Sequence, residues 1–139
     1  IYRRCPSKPE ASVISSLRQM TNRATRLSLK SESLSDPTVA EHYRSLEQEC
    51  PEYVSMHELV CRLCKKEYSP FVAAGISHDT LILETQNTTV TVQRWSNRQE
   101  YRIRLWPLRG RCETHLRNSN HEAERLLDTL ILRAWLASA

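Results

Sequence analysis

Residues 78–106, HDTLILETQNTTVTVQRWSNRQEYRIRLW, restrict the fold of this chain more than any other stretch. Leu81 and Leu83 alternate with Thr80 and Ile82, and Val90 and Val92 alternate with Thr89, Thr91 and Gln93. Tyr101, Ile103 and Leu105 alternate with Arg102 and Arg104. Successive side chains of a strand point to opposite faces, so this period of two, rich in β-branched residues, predicts half-buried strands. Thr85-Gln86-Asn87 and Ser96-Asn97-Arg98 supply polar turns between them, and Trp106-Pro107 stops the last strand because proline has no N–H for the ladder. Ser119 with Glu122 forms a capping box at the start of a helix. That helix carries Ala123, Leu126, Leu127, Leu130, Ile131, Ala134 and Trp135 on one broad apolar stripe, and a stripe that wide packs across a sheet. Glu124 and Arg125 are expected to face solvent.

Upstream the pattern changes to helical spacing. Val13, Ile14, Leu17, Met20, Ala24 and Leu27 form a stripe over 10–29, followed by a serine-rich linker to Ser35. Asp36-Pro37 starts a second helix, with a capping carboxylate and then proline at the first helical position. Val39, Tyr43 and Leu46 give it a narrow apolar face, and Cys50-Pro51 ends it. Residues 51–77 read two ways. Met56, Leu59, Val60, Leu63 and Cys64 fit a helix, while Tyr53-Val54 and the run Leu59 to Cys64 fit short buried strands. Periodicity alone leaves both open in a run this short.

A length of 139 residues predicts one main domain, placed at 51–139, with an arm and cap-like helices over 1–50. The chain opens at Ile1 without a methionine and is read as a fragment of a longer protein. Two glycines and no GxGxxG or GxxxxGK[ST] pattern exclude a glycine-rich phosphate loop, and no run of apolar residues is long enough to span a membrane. Five cysteines, an odd count at irregular spacing, read as the thiols of a reducing, intracellular compartment. The sequon Asn87-Thr88-Thr89 falls within the strand pattern, which reads against glycosylation.

Candidate chemistry is sparse. Cys61-x2-Cys64 with Cys112-x2-His115 has the ligand types of a zinc site. On a strand, however, residues three apart face opposite ways, so the alternative reading is small buried hydrophobes and no metal. His42, His57, His78, His115 and His121 are scattered, with no local nucleophile signature beside them, so neither catalysis nor a cofactor is expected in this segment. Arginines cluster late, at Arg94, Arg98, Arg102, Arg104, Arg109 and Arg111. Arg102 and Arg104 share one strand face, and with Trp95 and Trp106 nearby they form a candidate partner surface, for which forked guanidinium bonds suit phosphate.

In order and spacing, residues 53–139 resemble a polo box, the non-catalytic C-terminal module of Polo-like kinases. YVSMHELVCRLCKKEY is similar to that family's first two strands, PFVAAGI to the third and HDTLILE to the fourth. TTVTVQRW and EYRIRLW resemble the fifth and sixth strands, and HEAERLLDTLILRAWLAS the crossing helix; VISSLRQM resembles the helix that precedes the first box. The resemblance implies an α+β fold: a six-stranded antiparallel sheet crossed by a C-terminal helix and preceded by two N-terminal helices. It turns Tyr53 to Ile76 into three strands. It implies a targeting, dimerisation or regulatory domain of a larger protein, a Ser/Thr kinase, engaging protein partners or itself at a kinetochore or centrosome. The family's phosphate pincer is a histidine and a lysine two apart. Here His78 is followed by Thr80, with Asp79 between, so phosphopeptide binding is not expected. Two alternatives stand beside this reading. One is a zinc-dependent interaction domain. The other is a nucleic-acid-binding α-β-β-β-α module using Arg102, Arg104 and a helix N-terminus, against which the closing helix lacks a lysine cluster.

Overall fold

The computed structural model describes residues 32–138, and the helix expected over 10–29 lies outside them. The described elements run β1 (Glu32–Ser33), α1 (Pro37–Glu49), α2 (Val54–Leu63), β2 (Ala73–Ser77), β3 (Thr80–Glu84), β4 (Thr88–Trp95), β5 (Glu100–Pro107), β6 (Glu113–Arg117) and α3 (Asn120–Ser138). The strands form one six-stranded antiparallel sheet in the order β1-β2-β3-β4-β5-β6. The expected α+β architecture is therefore present, with a C-terminal helix and helices on the N-terminal side.

Local chemistry sets the helix ends. Asp36 Oδ1 accepts from the Thr38 N–H at 2.9 Å and from the Thr38 hydroxyl at 2.8 Å, capping α1 as read from sequence. The Ser119 hydroxyl accepts from the Glu122 N–H at 3.1 Å, so the capping box forms its forward bond at α3.

The allocation of strands differs from the expectation. Tyr53 to Ile76 does not form three strands. Val54–Leu63 is helical, short 3₁₀ turns occupy Pro51–Tyr53 and Ser69–Phe71, and the extended backbone begins only at Ala73. The cause is packing. Met56, Leu59, Val60 and Leu63 are all buried in one core with α1 and α3 residues. A strand would send neighbours Leu59 and Val60 to opposite faces, whereas a helix puts all four on one. The sheet reaches six strands through β1 and β6 instead.

All three helices pack on one face of the sheet. Ala74, Ile76, Leu81, Leu83, Val90, Val92, Tyr101, Ile103 and Leu105 point toward them and share a core with Val39, Tyr43, Leu127, Leu130 and Ile131. Tyr101 Oη donates to Asn120 Oδ1, and Asn120 Nδ2 donates to the Ser55 carbonyl at 3.1 Å, which ties β5, α3 and α2 at one corner. The opposite, outer face carries Ile82, Thr91 and Gln93, each buried, and then Trp95 of β4 and Arg102, Arg104 and Trp106 of β5.

A polar clasp holds α2 and the turn after it to α3. Glu124 lies 2.5 Å from Arg62 Nε and 2.6 Å from Lys66 Nζ; Asp128 accepts from Lys66 Nζ at 3.0 Å and from Tyr68 Oη at 2.6 Å. Glu124 is buried and does not face solvent as expected, while Arg125 is exposed. Its position next to Ala123 placed it on the polar side of the wheel, but the cations of α2 draw it inward. The hydrogen bond from Lys66, then that from Arg62, holds the Glu124 carboxyl below the usual glutamate range. A carboxylate with a depressed folded-state pKa contributes stability above its unfolded-state pKa and loses it as pH falls through the folded value. Glu124→Gln is therefore expected to be about 1–2 kcal/mol less stable than the parent at pH 7. The gap should narrow on acidification below about pH 4.5. Urea unfolding at pH 7, 5, 4 and 3 measures it, and a gap independent of pH would remove the clasp from the account.

Candidate functional site

The structure brings four of the six sequence-predicted site residues onto the outer face. β4 and β5 pair with Trp95 opposite Glu100, Gln93 opposite Arg102, Thr91 opposite Arg104 and Thr89 opposite Trp106, so these side chains share one side. The Arg102 guanidinium stacks on the Trp95 ring, 4.3 Å from its centroid, and Arg98 from the adjoining turn lies 5.2 Å from the same ring. Trp106 Nε1 donates to Thr91 Oγ1 at 3.4 Å. Burial, and then the like charge of Arg104, hold Arg102 below the usual arginine value.

The other two predicted residues lie elsewhere. Arg94 pairs opposite Tyr101 and sits over its ring at 5.0 Å, on the helix-bearing side. Sequence placed it with Arg102 and Arg104 by nearness along the chain, but strand alternation turns it away. His78 is exposed at the tip of the β2–β3 hairpin, with a left-handed φ of 61°. Asp79, expected to point its charge at any phosphate bound there, is turned inward: it is 5% exposed, its Oδ2 accepts from Tyr53 Oη at 3.1 Å, and its carbonyl accepts from Tyr43 Oη at 3.0 Å.

The alternative zinc ligands do not meet. Cys61 and Cys64 lie at the C-terminal end of α2. Cys112 is exposed in the β5–β6 loop, and His115 on β6 is bonded to Glu113 at 3.1 Å. Among the described residues no three of His, Cys, Asp and Glu converge on a metal-sized space. Burial pushes the Cys64 thiol up to about 11, which keeps it protonated at neutral pH. Cys61, Cys64 and Cys112 are free thiols, while Cys50 is disulfide-bonded. Asn87 of the sequon stands exposed in the expected turn Thr85-Gln86-Asn87, and Thr88 and Thr89 lie in β4.

His57 and Cys61 line a cleft of about 460 Å³ with Glu58, Arg62, Asn120 and His121. His57 Nδ1 is 2.7 Å from Glu47 Oε1, an oriented imidazole. Among the described residues Cys61 makes no hydrogen bond to it, so the nucleophile–base contact that covalent catalysis uses is not formed.

A second surface was missed from sequence. Phe71, Leu132 and Leu136 are 71%, 49% and 78% exposed, large values for apolar side chains. Phe71 and Leu132 share a groove with Trp135, whose ring meets Phe71 edge-on at 5.9 Å and buried Tyr68 at 6.3 Å; Leu136 lies one turn beyond Leu132 on α3. Lys66, Glu67 and Asp128 complete a groove of about 540 Å³ with Tyr68, Phe71, Leu132 and Trp135. The signal for it was in the helix: Leu132 and Leu136 stand at i, i+4, off the buried stripe of Ala123, Leu127, Leu130, Ile131 and Ala134. A helix with apolar residues beyond its core stripe has a second face to cover.

No protein-family model matches this chain, and no curated protein or solved structure matches it significantly.

Proposed function

We propose that residues 32–138 form a non-catalytic docking module, which seats a protein partner on the aromatic–apolar surface at the C-terminal end of α3. The observation that carries this reading is the groove in which exposed Phe71 and Leu132 meet Trp135, with exposed Leu136 one helical turn beyond Leu132. Scattered apolar residues are ordinary on a surface, but a clustered set with an aromatic centre and a polar rim is the composition of an interface core. The clasp of Glu124 and Asp128 with Arg62, Lys66 and Tyr68 supports it by fixing the floor of the groove before a partner arrives.

This is the interaction role that the polo-box resemblance implied, drawn without the family's name. The residues aligned to that family's first two strands are α2 here, so kinase linkage and residence at a kinetochore or centrosome rest on the remaining aligned segments alone.

Photo-crosslinking tests the reading. A benzophenone side chain placed at Leu136 is expected to give a discrete adduct in cells, and Leu132→Asp in the same chain should reduce it at least tenfold. The same probe at exposed Arg125 serves as control. No adduct at Leu136 above the Arg125 background would end the proposal. An adduct of twice the chain mass would identify the partner as a second copy.

A further inference from the structure

We infer that the cleft between the β5–β6 loop and α3 is a binding site for a small aliphatic anion, a carboxylate or phosphate head carried on a short apolar chain. It lies on the opposite flank of α3 from the Trp135 groove and shares no residue with it, so the inference is independent of the docking surface. Strand register assembles the site. Thr88 pairs opposite Pro107 and Leu105 opposite Glu113, so all four side chains stand on the helix-bearing side at one end of β5. Leu130, Arg133 and Ala134 of α3, at i, i+3 and i+4, face them. Together they line a cleft of about 340 Å³, within the size range of small-molecule sites.

The cleft has two chemically distinct parts. Leu105, Leu130 and Ala134, all buried, make with Pro107 an apolar floor without an aromatic ring, which suits an aliphatic chain better than a planar one. Arg109, Arg111 and Arg133, all exposed, form the rim. Arg133 is committed: its Nη2 donates to Glu113 Oε1 at 2.8 Å, and the same oxygen lies 3.1 Å from His115 Nε2. Arg109 and Arg111 are not: among the described residues neither side chain has a hydrogen-bond or ion-pair partner. Three arginines against one glutamate leave the cleft a net charge of +2. Arginine offers a planar fork of donors to carboxylate or phosphate oxygens, where lysine is a point charge.

The loop keeps the two free forks together. Gly110, between them, has a φ of 103°, a conformation that residues with a Cβ rarely adopt, and the turn it makes leaves both arginines lining one cleft. The Leu108 N–H donates to the Asn87 carbonyl at 2.8 Å, which ties the base of the loop to the β3–β4 turn. An anion held between the forks receives charge-assisted hydrogen bonds above an apolar floor, where the low dielectric strengthens them. At about 30 Å³ for a water-sized group, 340 Å³ takes roughly eleven non-hydrogen atoms, the size of a carboxylate on a chain of about eight carbons.

Two-dimensional NMR titration of the 139-residue chain with octanoate and with octyl phosphate tests it. Saturable shifts are expected at millimolar ligand for the amides of 109–113, Arg133 and Ala134; saturation by either supports the site, and the tighter of the two identifies the head. Octanol, which lacks the charge, and acetate and inorganic phosphate, which lack the chain, should each bind at least tenfold more weakly. Arg109→Ala with Arg111→Ala alters only exposed loop side chains, so circular dichroism should show the variant folded. It should weaken octanoate and octyl phosphate at least tenfold and octanol less than twofold. Arg125→Ala, exposed elsewhere on α3, should change every affinity less than twofold. Absence of saturable shifts with both amphiphiles overturns the inference. So does octanol, acetate or inorganic phosphate binding as tightly as the amphiphiles, or equal weakening by Arg125→Ala. Shifts centred on Phe71, Leu132 and Trp135 would place the ligand in the docking groove and overturn this site. A leucine-rich peptide with a free terminal carboxylate that bound more tightly than octanoate would overturn the small-molecule assignment.

Discussion

Leu127→Ala is expected to cost the chain about 3–4 kcal/mol, the largest single-residue loss on the α3 face. Leu127 is fully buried in the core that joins α3 to α2 and the sheet. Removing its isobutyl group loses the transfer energy of those methyl groups and leaves a cavity, because Leu59, Val60, Leu63, Ile103 and Leu130 are held by their own backbones and relax only in part. The loss should appear as a drop in thermal midpoint of about 10 °C. It should also lower the urea midpoint with the slope of the unfolding curve unchanged. Leu136→Ala, three-quarters exposed two turns later, is the matched control and should cost no more than about 0.5 kcal/mol. If the two variants lost the same stability, α3 would not be lying across the sheet as described.

Asp79→Ala is expected to cost about 2–3 kcal/mol, although it removes a residue at a hairpin tip, where substitutions are usually harmless. The Asp79 carboxylate reaches back into the molecule, accepting from Tyr53 Oη at 3.1 Å and lying 3.5 Å from Thr80 Oγ1. Alanine would leave a buried phenol hydroxyl without that acceptor. Asp79→Asn keeps an oxygen in place and should cost about half as much. Tyr53→Phe with Asp79→Ala closes a double-mutant cycle, in which the double variant should be more stable than the sum of the singles predicts by about 1 kcal/mol or more. Purely additive losses would mean that the two side chains act separately. Chemical denaturation at pH 7 supplies all four values.

Much of the sheet was legible because the helix-facing side of its central strands is uniformly apolar. The alternation through Leu81, Leu83, Val90, Val92, Tyr101, Ile103 and Leu105 reports that directly, and each of these residues is in the core. The two edge strands were not legible. β6, ETHLR, has one apolar residue, Leu116, and it points outward; β1 is a two-residue segment within what reads as a polar linker. Edge strands pair through the backbone, and backbone hydrogen bonds leave no side-chain pattern to read. The α2 segment failed differently. Its spacing fitted a helix and short buried strands alike, and the resemblance to six consecutive strands decided for strands. Of the candidate surfaces, the pair of Arg102 and Arg104 was visible because alternation on β5 fixes its face. Arg94 was misplaced because its neighbour Trp95 is the one that turns outward. The apolar surface at Phe71 was invisible because it joins a turn to a helix sixty residues away.

A sheet wired in sequence order from β2 to β6 assembles by local closure, each hairpin pairing a strand with the one just made. Such a meander has short-range contacts and forms quickly for a β-rich protein. The slower search belongs to α3, which must return across the whole sheet to meet Arg62 and Lys66. During synthesis the ribosome releases β2 through β5 before α3 has emerged, so the sheet face bearing Leu83, Val92 and Ile103 waits uncovered, with α1 and α2 already made beside it. The clasp at Glu124 and Asp128 is thus a finishing step, a latch that closes a sheet already built.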